Sequence, residues 1–228
     1  MTGGVLMDIK YGDFYRSFDP IPYYRERGWL IGNGKVGGKG KGISFAHEVL
    51  EKNGLLDDVH LPKYTFVITT SVFEEFMAQN GLWERLESLR DPSDAPLIHA
   101  ICQESELPKS IDKDLEMILE TITTPISVRS SSILEDDVNL SFAGKYATRF
   151  AANYGDKVSR RADLERNIKF VYASTYNAAA REYKRKHGIV WGGELMGVLI
   201  QPLVGKVHGS WYYPEIAGAA FSQVFRRP

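Results

Sequence analysis

The chain has 228 residues and a formal net charge of −1, with 28 Lys and Arg against 29 Asp and Glu. That length can enclose a substantial core, and the balanced charge leaves no global field to recruit nucleic acid or an anionic membrane, so any anion site must be local. The single cysteine, Cys102, rules out an internal disulfide and makes a reducing cytoplasm the expected location, and no apolar run approaches the roughly 18 residues that cross a bilayer.

From the N-terminus, MTGGVLMDIKYGDF lacks the basic flank and apolar stretch of a signal peptide. Residues 1–28, aromatic and polar with Pro20 and Pro22, read as an irregular arm with a short helix. The glycine-rich stretch GWLIGNGKVGGKGKG follows, then ISFAHEVLEKNG, a helix with Ile43, Ala46, Val49 and Leu50 on one face and Asn53-Gly54 as its end. LPKYTFVITT has strand composition. Ser71 is expected to cap the next helix, with Glu74 at capping-box spacing. A loop over 91–96 precedes helices near 96–104 and 110–121. PISVRSS and YATRFAANY read as strands, and 160–186 as one long amphipathic helix carrying Leu164, Ile168, Val171 and Tyr172 on its apolar face. LMGVLIQPLVG is a strand that Pro202 bends or ends, and IAGAAFSQVF another. Helices and strands mix without strict alternation, which favours an α+β fold. The chain stops directly after that last strand and reads as a piece of a longer protein.

Two places carry chemistry. Gly32, Gly34 and Gly37 spell the dinucleotide fingerprint, but only Trp29, Leu30 and Ile31 precede it and no acid-tipped second strand follows, so an oxidoreductase is a distant alternative. Lys39 is followed by Gly40, which breaks the Walker pattern. There remains Gly37-Gly38-Lys39-Gly40 opening a helix, either an anion site built from backbone N–H groups and a lysine or a solvated surface loop. Arg129 ends an apolar strand and precedes three serines; its guanidinium either grips phosphate oxygens or pairs with Glu135 or Asp136 as a loop staple. The run Glu135, Asp136, Asp137 is either solvated or a metal site. The five histidines show no ligand spacing, and Cys102 has no catalytic context.

In order, VGGKGKGISFAHEVL, LPKYTFVITTSVFEEFMAQNGL, ISVRSSSILEDDVNLSFAGKYAT, VYASTYNAAAREYK, MGVLIQPLVG and AGAAFS resemble the N-terminal nucleotide-binding domain of phosphoenolpyruvate synthase and pyruvate phosphate dikinase, over about residues 30–223. The resemblance implies an ATP-grasp fold, with 1–28 as an arm and 29–228 as the first part of the domain. It places Lys39 and Arg129 on the nucleotide phosphates as the catalytic pair, beside Gly37 and Gly38. Gly144 and Thr148 match a mobile loop and strand over the phosphates, which makes the serine–acid loop a lid expected to be more mobile than its flanking strands. Gln201, Leu203 and Val204 match a segment whose backbone meets the adenine. Pro202 and Lys145-Tyr146 depart from the family's usual residues.

The same resemblance implies ATP as ligand and Mg2+ held by acids outside this stretch. It also implies two partners in the parent chain, a swivelling phosphohistidine domain and a pyruvate-binding domain. The implied function is transfer of a phosphoryl group from ATP through that histidine to pyruvate or a related acceptor. The alternative is a non-catalytic nucleotide-sensing or interaction module that keeps the fold. On the catalytic reading Lys39 and Arg129 face one cleft.

Overall fold

A computed structural model describes residues 11–136, 144–188 and 194–219. Two short helices, α1 (Tyr11–Ser17) and α2 (Ile21–Glu26), lead into β1 (Leu30–Ile31) and α3 (Gly37–Lys52). After β2 (Phe66–Ile68) come α4 (Thr70–Gln79), α5 (Leu82–Ser88), α6 (Ala95–Glu104) and α7 (Asp112–Thr121). Next are β3 (Ile126–Ser132), β4 (Thr148–Ala151), α8 (Lys157–Ser174), α9 (Ala178–Lys186), β5 (Met196–Pro202) and the hairpin β6 (Lys206–His208) and β7 (Trp211–Tyr213).

Five strands form one sheet in the order β1-β2-β5-β3-β4, parallel between β1 and β2 and antiparallel elsewhere. Such a mixed sheet with segregated helices is an α+β architecture. Side chains alternate across a strand, and β5 shows which way each face turns. Met196, Val198 and Ile200 enter the large core with Phe73, Phe76, Leu115, Ile118, Leu164 and Tyr172, while Leu199 joins a second cluster with Tyr24, Val36 and Val67. In β3, Ile126 and Val128 share the large core. Residues 21–26 are therefore packed: Tyr24 is fully buried under the second cluster, and Trp29 donates nothing less than a main-chain tie, its N–H reaching the Tyr24 carbonyl at 2.9 Å.

Several expectations are corrected. Helix α3 starts at Gly37 and not at Ile43, so the Gly37–Gly40 run opens the helix, as one reading of the sequence had it, as its first turn. Ser71 does not cap α4; its hydroxyl accepts the Asn33 N–H at 3.0 Å, and the N-cap position is Thr69. The long helix is two, because the Asn177 side chain accepts the Ala180 N–H at 2.7 Å and starts α9 afresh. The expected strand from 216 is not one over 216–219; its remainder lies outside the described residues. The β6–β7 hairpin was not anticipated. Its register pairs His208 with Trp211 across Gly209-Ser210, and Gly209 has φ +63°, the first-position glycine of a two-residue hairpin turn. Ser130, Ser131 and Ser132 belong to β3 and are buried, so they are not part of a lid; residues 137–143 of that loop lie outside the described residues.

One buried ion pair fastens α9 to the sheet. Lys184 pairs with Glu194, their side chains 6% and 4% exposed. The same carboxylate accepts the Ser132 hydroxyl at 2.6 Å and the Tyr146 hydroxyl. Tyr146, one of the departures from the family pattern, thus has a structural partner. Replacing Lys184 by Met strands a buried carboxylate, so urea denaturation should show a loss of about 3–5 kcal/mol. Adding Glu194→Gln to that variant should recover a large part of the loss.

Candidate functional site

The site is built where two distant segments are fastened together. At Gly37 the chain adopts φ +71°, and a Cβ there would lie 1.8 Å from the Ser131 carbonyl oxygen, so only glycine fits. The Ser131 hydroxyl accepts the Gly40 N–H at 3.1 Å and donates to the Val36 carbonyl at 2.8 Å. Behind it, Gly197 stands opposite Ser131 in β5, and a Cβ there would meet the carbonyls of Ser131 and Val36 at 3.1 Å. From the other side, the Tyr24 hydroxyl donates to the Gly40 carbonyl at 2.6 Å. Burial pushes the Tyr24 phenol well above its ordinary range, which keeps it a donor.

The first half of the glycine-rich stretch is fixed differently. The N–H groups of Asn33, Gly34 and Lys35 go to the hydroxyls of Ser71, Thr69 and Thr70 at 3.0, 3.1 and 3.0 Å. Those three donors are consumed inside the fold, so the fingerprint glycines Gly32 and Gly34 serve a junction with α4 and do not offer these amides to a dinucleotide. The cleft beside them, about 590 Å³, is lined by Lys35 and Lys41 but also by Asp19 and Glu74, which leaves it no net sign for an anion.

Lys39 leaves the fixed turn and brings its ammonium to 3.4 Å from the Ser130 hydroxyl, beside Arg129 in the chain. Arg129 is partly buried and donates through Nη1 to Gln201 Oε1 at 3.4 Å. In register, Thr148 of β4 and Leu199 of β5 flank Arg129. Arg129, Thr148 and Gln201 thus share one face of the sheet, whereas Lys39 reaches β3 at Ser130, whose side chain alternates to the other face; Gly37 and Gly38 are buried at the start of α3. Gly144, with φ +72°, lies in the turn before β4.

Leu203 and Val204 follow β5 at the opposite end of β3. The Leu203 N–H donates to the Pro125 carbonyl at 2.8 Å and its carbonyl accepts the Tyr212 hydroxyl at 3.1 Å, so both backbone groups already have partners; Val204 is exposed. The side chains of Glu135 and Asp136 lie outside the described residues, and so does Asp137, which leaves the staple and the acidic run untouched. Among the described residues no three His, Cys, Asp or Glu side chains come together as a metal site. No helix of the described residues is long and apolar enough to cross a membrane.

Reading the sequence alone missed Ser131, Tyr24 and Thr65. The first had a signal, since a serine run continuing an apolar strand needs buried partners; the other two had none.

Two measurements check this construction. Ser131→Ala strands the buried Gly40 N–H and Val36 carbonyl, and urea denaturation should register a loss of about 1–3 kcal/mol, whereas Ser93→Ala on the exposed surface should stay within about 0.5 kcal/mol. Cys102 is buried and desolvation raises its thiol to about 12, above an ordinary 9.0. An unfolded chain ionises this thiol at lower pH than the folded one, so its contribution to stability is whole below about pH 9 and fades as pH rises toward 12. Iodoacetamide at pH 8 should therefore label Cys102 in denaturant and leave the folded chain unlabelled over the same time.

The phosphoenolpyruvate synthase of Pseudomonas aeruginosa (strain UCBPP-PA14) is 27% identical over 138 residues, covering 54% of this chain and 17% of that protein. An uncharacterized phosphotransferase of Bacillus subtilis (strain 168), YvkC, is 26% identical over 158 residues, covering 69% of this chain and 17% of its own length. The chain thus spans about a sixth of the length of these relatives, 17% in each case. The family described as pyruvate phosphate dikinase, AMP/ATP-binding domain, matches residues 33–224, most of the chain including both the glycine turn and β3, and the chain belongs to that family.

Proposed function

We propose that this chain is the first part of an ATP-grasp nucleotide-binding domain in a dikinase-like phosphotransferase, and that Lys39 and Arg129 hold the phosphates of ATP. The observation that carries the reading is the fastening of the Gly37–Gly40 turn to β3 through Ser131, which brings the ammonium of Lys39 to Ser130, the residue after Arg129 in the strand. From the level of Leu203 and Pro125 to that of Ser130 is five residues along β3, roughly 16 Å at about 3.3 Å per residue. That run suits a nucleotide laid along the strand, base toward Val204 and phosphates toward Lys39. Thr148 borders the phosphate end and Gly144 allows the preceding turn its left-handed backbone.

In this reading the two cations act by charge. Arg129 offers a planar fork to phosphate oxygens and Lys39 a compact point charge. Both stand on packed elements and need little reorganisation as charge shifts during transfer. Among the described residues no three His, Cys, Asp or Glu side chains come together to hold Mg2+, and the acids that would hold it are expected further along the longer protein. The acceptor histidine would lie on a swivelling domain and pyruvate or a related acceptor on a third, in a longer cytoplasmic protein. The name of the Pseudomonas relative, a phosphoenolpyruvate synthase, supports this class.

Calorimetry tests the reading. The 228-residue chain should bind ATP more tightly than adenosine and show no turnover. Arg129→Ala should weaken ATP by about tenfold or more, since a charge-assisted contact is lost, and leave adenosine binding and the melting temperature unchanged. In a longer protein carrying the histidine domain, the same substitution should slow ATP-dependent histidine phosphorylation by about a hundredfold. Nucleotide binding with no phosphorylation of the intact protein would favour a sensing module. A large fall in melting temperature would make Arg129 a structural staple.

A further inference from the structure

We infer that the side chain of Gln201 is a positioning residue for Arg129, holding the guanidinium in place without cancelling its charge; this rests on the reading of the site as one for nucleotide phosphates. The resemblance gave Gln201 a different part, a backbone contact to adenine. The side chain, however, points across the sheet. Gln201 pairs with Ser127 and Leu199 with Arg129, so Gln201 and Arg129 stand diagonally on one face of neighbouring antiparallel strands, within reach of long side chains.

The chemistry fixes which end of the amide does what. A guanidinium has donors only, so Gln201 must present its oxygen to Arg129. Its nitrogen must then face the other way, and it does: Nε2 donates to Thr65 Oγ1 at 3.0 Å, while Oε1 accepts from Arg129 Nη1 at 3.4 Å. Gln201 is 4% exposed and Thr65 1%, so the amide has little freedom to flip into water. Thr65 directly precedes β2, whose Phe66 pairs with Ile200 of β5. The relay therefore runs across the sheet from β2 through β5 to β3, each member carried on the rigid centre of the fold.

The choice of an amide matters. A carboxylate at position 201 would hold the arginine more strongly but would neutralise it, and it would compete with any phosphate for the same fork. A neutral acceptor fixes one nitrogen and leaves the positive charge whole. An apolar residue would leave both the guanidinium and the Thr65 hydroxyl without this partner.

The test compares ATP with adenosine on the 228-residue chain by calorimetry. Gln201→Met keeps volume and removes the amide. It should weaken ATP by about tenfold and leave adenosine unchanged. Combined with Arg129→Ala it should weaken ATP no further than Arg129→Ala alone, because the two act as one unit. Thr65→Val frees the amide and should weaken ATP in the same direction by a smaller factor, again sparing adenosine. If Gln201→Met does not fold, Thr65→Val carries the same comparison. The inference is overturned if the variants bind ATP as the wild type does, if ATP and adenosine weaken by the same factor, or if the losses of the double variant add. A wild-type chain that binds ATP no better than adenosine removes the phosphate reading itself, and this inference with it; that result precedes any variant and so separates the two failures.

Discussion

The site hangs on one hydroxyl. Ser131 Oγ is buried, accepts from Gly40 and donates to Val36, and so uses its donor and an acceptor on a segment 91 residues away in sequence in the first case. A buried hydroxyl without partners costs free energy, and so do a buried N–H and carbonyl left behind. Each group here satisfies another, and the turn is held by mutual need. The missing side chains matter as much. Gly37 and Gly197 let three backbones converge on the end of β3, where any Cβ at Gly37 would collide with the strand. That convergence fixes the backbone from which Lys39 reaches Ser130.

The sheet divides the work. One face of β3 and β5 is committed to a large apolar core, with Ile126, Val128, Val198 and Ile200 sealed against α4, α7 and α8 elements such as Phe76, Leu115 and Ile168. The opposite face carries a small apolar cluster and then polar groups: Ser127, Arg129, Ser131 and Gln201. Polar groups mounted on strands are held by the packing beneath them, which is a better guarantee of geometry than a loop provides. This arrangement also explains why the strand reads oddly. Ile126 and Val128 serve one side together with Ser130 and Ser132, and Ser127, Arg129 and Ser131 serve the other.

Much of the fold was legible because its signals are local. Helices α6 and α7 follow their apolar period, and β3 and β5 announce themselves by β-branched runs. The arginine at a strand and the lysine in a glycine turn were visible as chemistry. What could not be read depends on partners far along the chain. Buried Ser132 donates to Glu194, 62 residues away, and buried Gln201 to Thr65, 136 residues away. Ser71 looked like a cap because capping spacing is a local pattern, but a tertiary donor, the Asn33 amide, claims its oxygen. The break between α8 and α9 had a local cause, Asn177, outweighed in the reading by the apolar stripe on either side. The β6–β7 hairpin also had a signal, Gly-Ser between two short β-prone segments, hidden by the brevity of strands of three residues each.

Charge near the site follows the same logic. Glu194 reaches Ser132, which is three residues from Arg129, roughly 10 Å along a strand. An unpaired carboxylate there would oppose an anion at Lys39 and Arg129, and buried charges are poorly screened by salt. Lys184 cancels it, at 6% and 4% exposure for the two side chains, and so confines that carboxylate to a structural part. Gln201 meets the complementary requirement at Arg129 by supplying an acceptor with no charge at all. One negative group is neutralised by an ion pair, and one positive group is held by an acceptor that leaves its charge whole. Both devices act through single partners, an ion pair in one case and a neutral amide in the other, so neither is visible in the balanced composition of the whole chain.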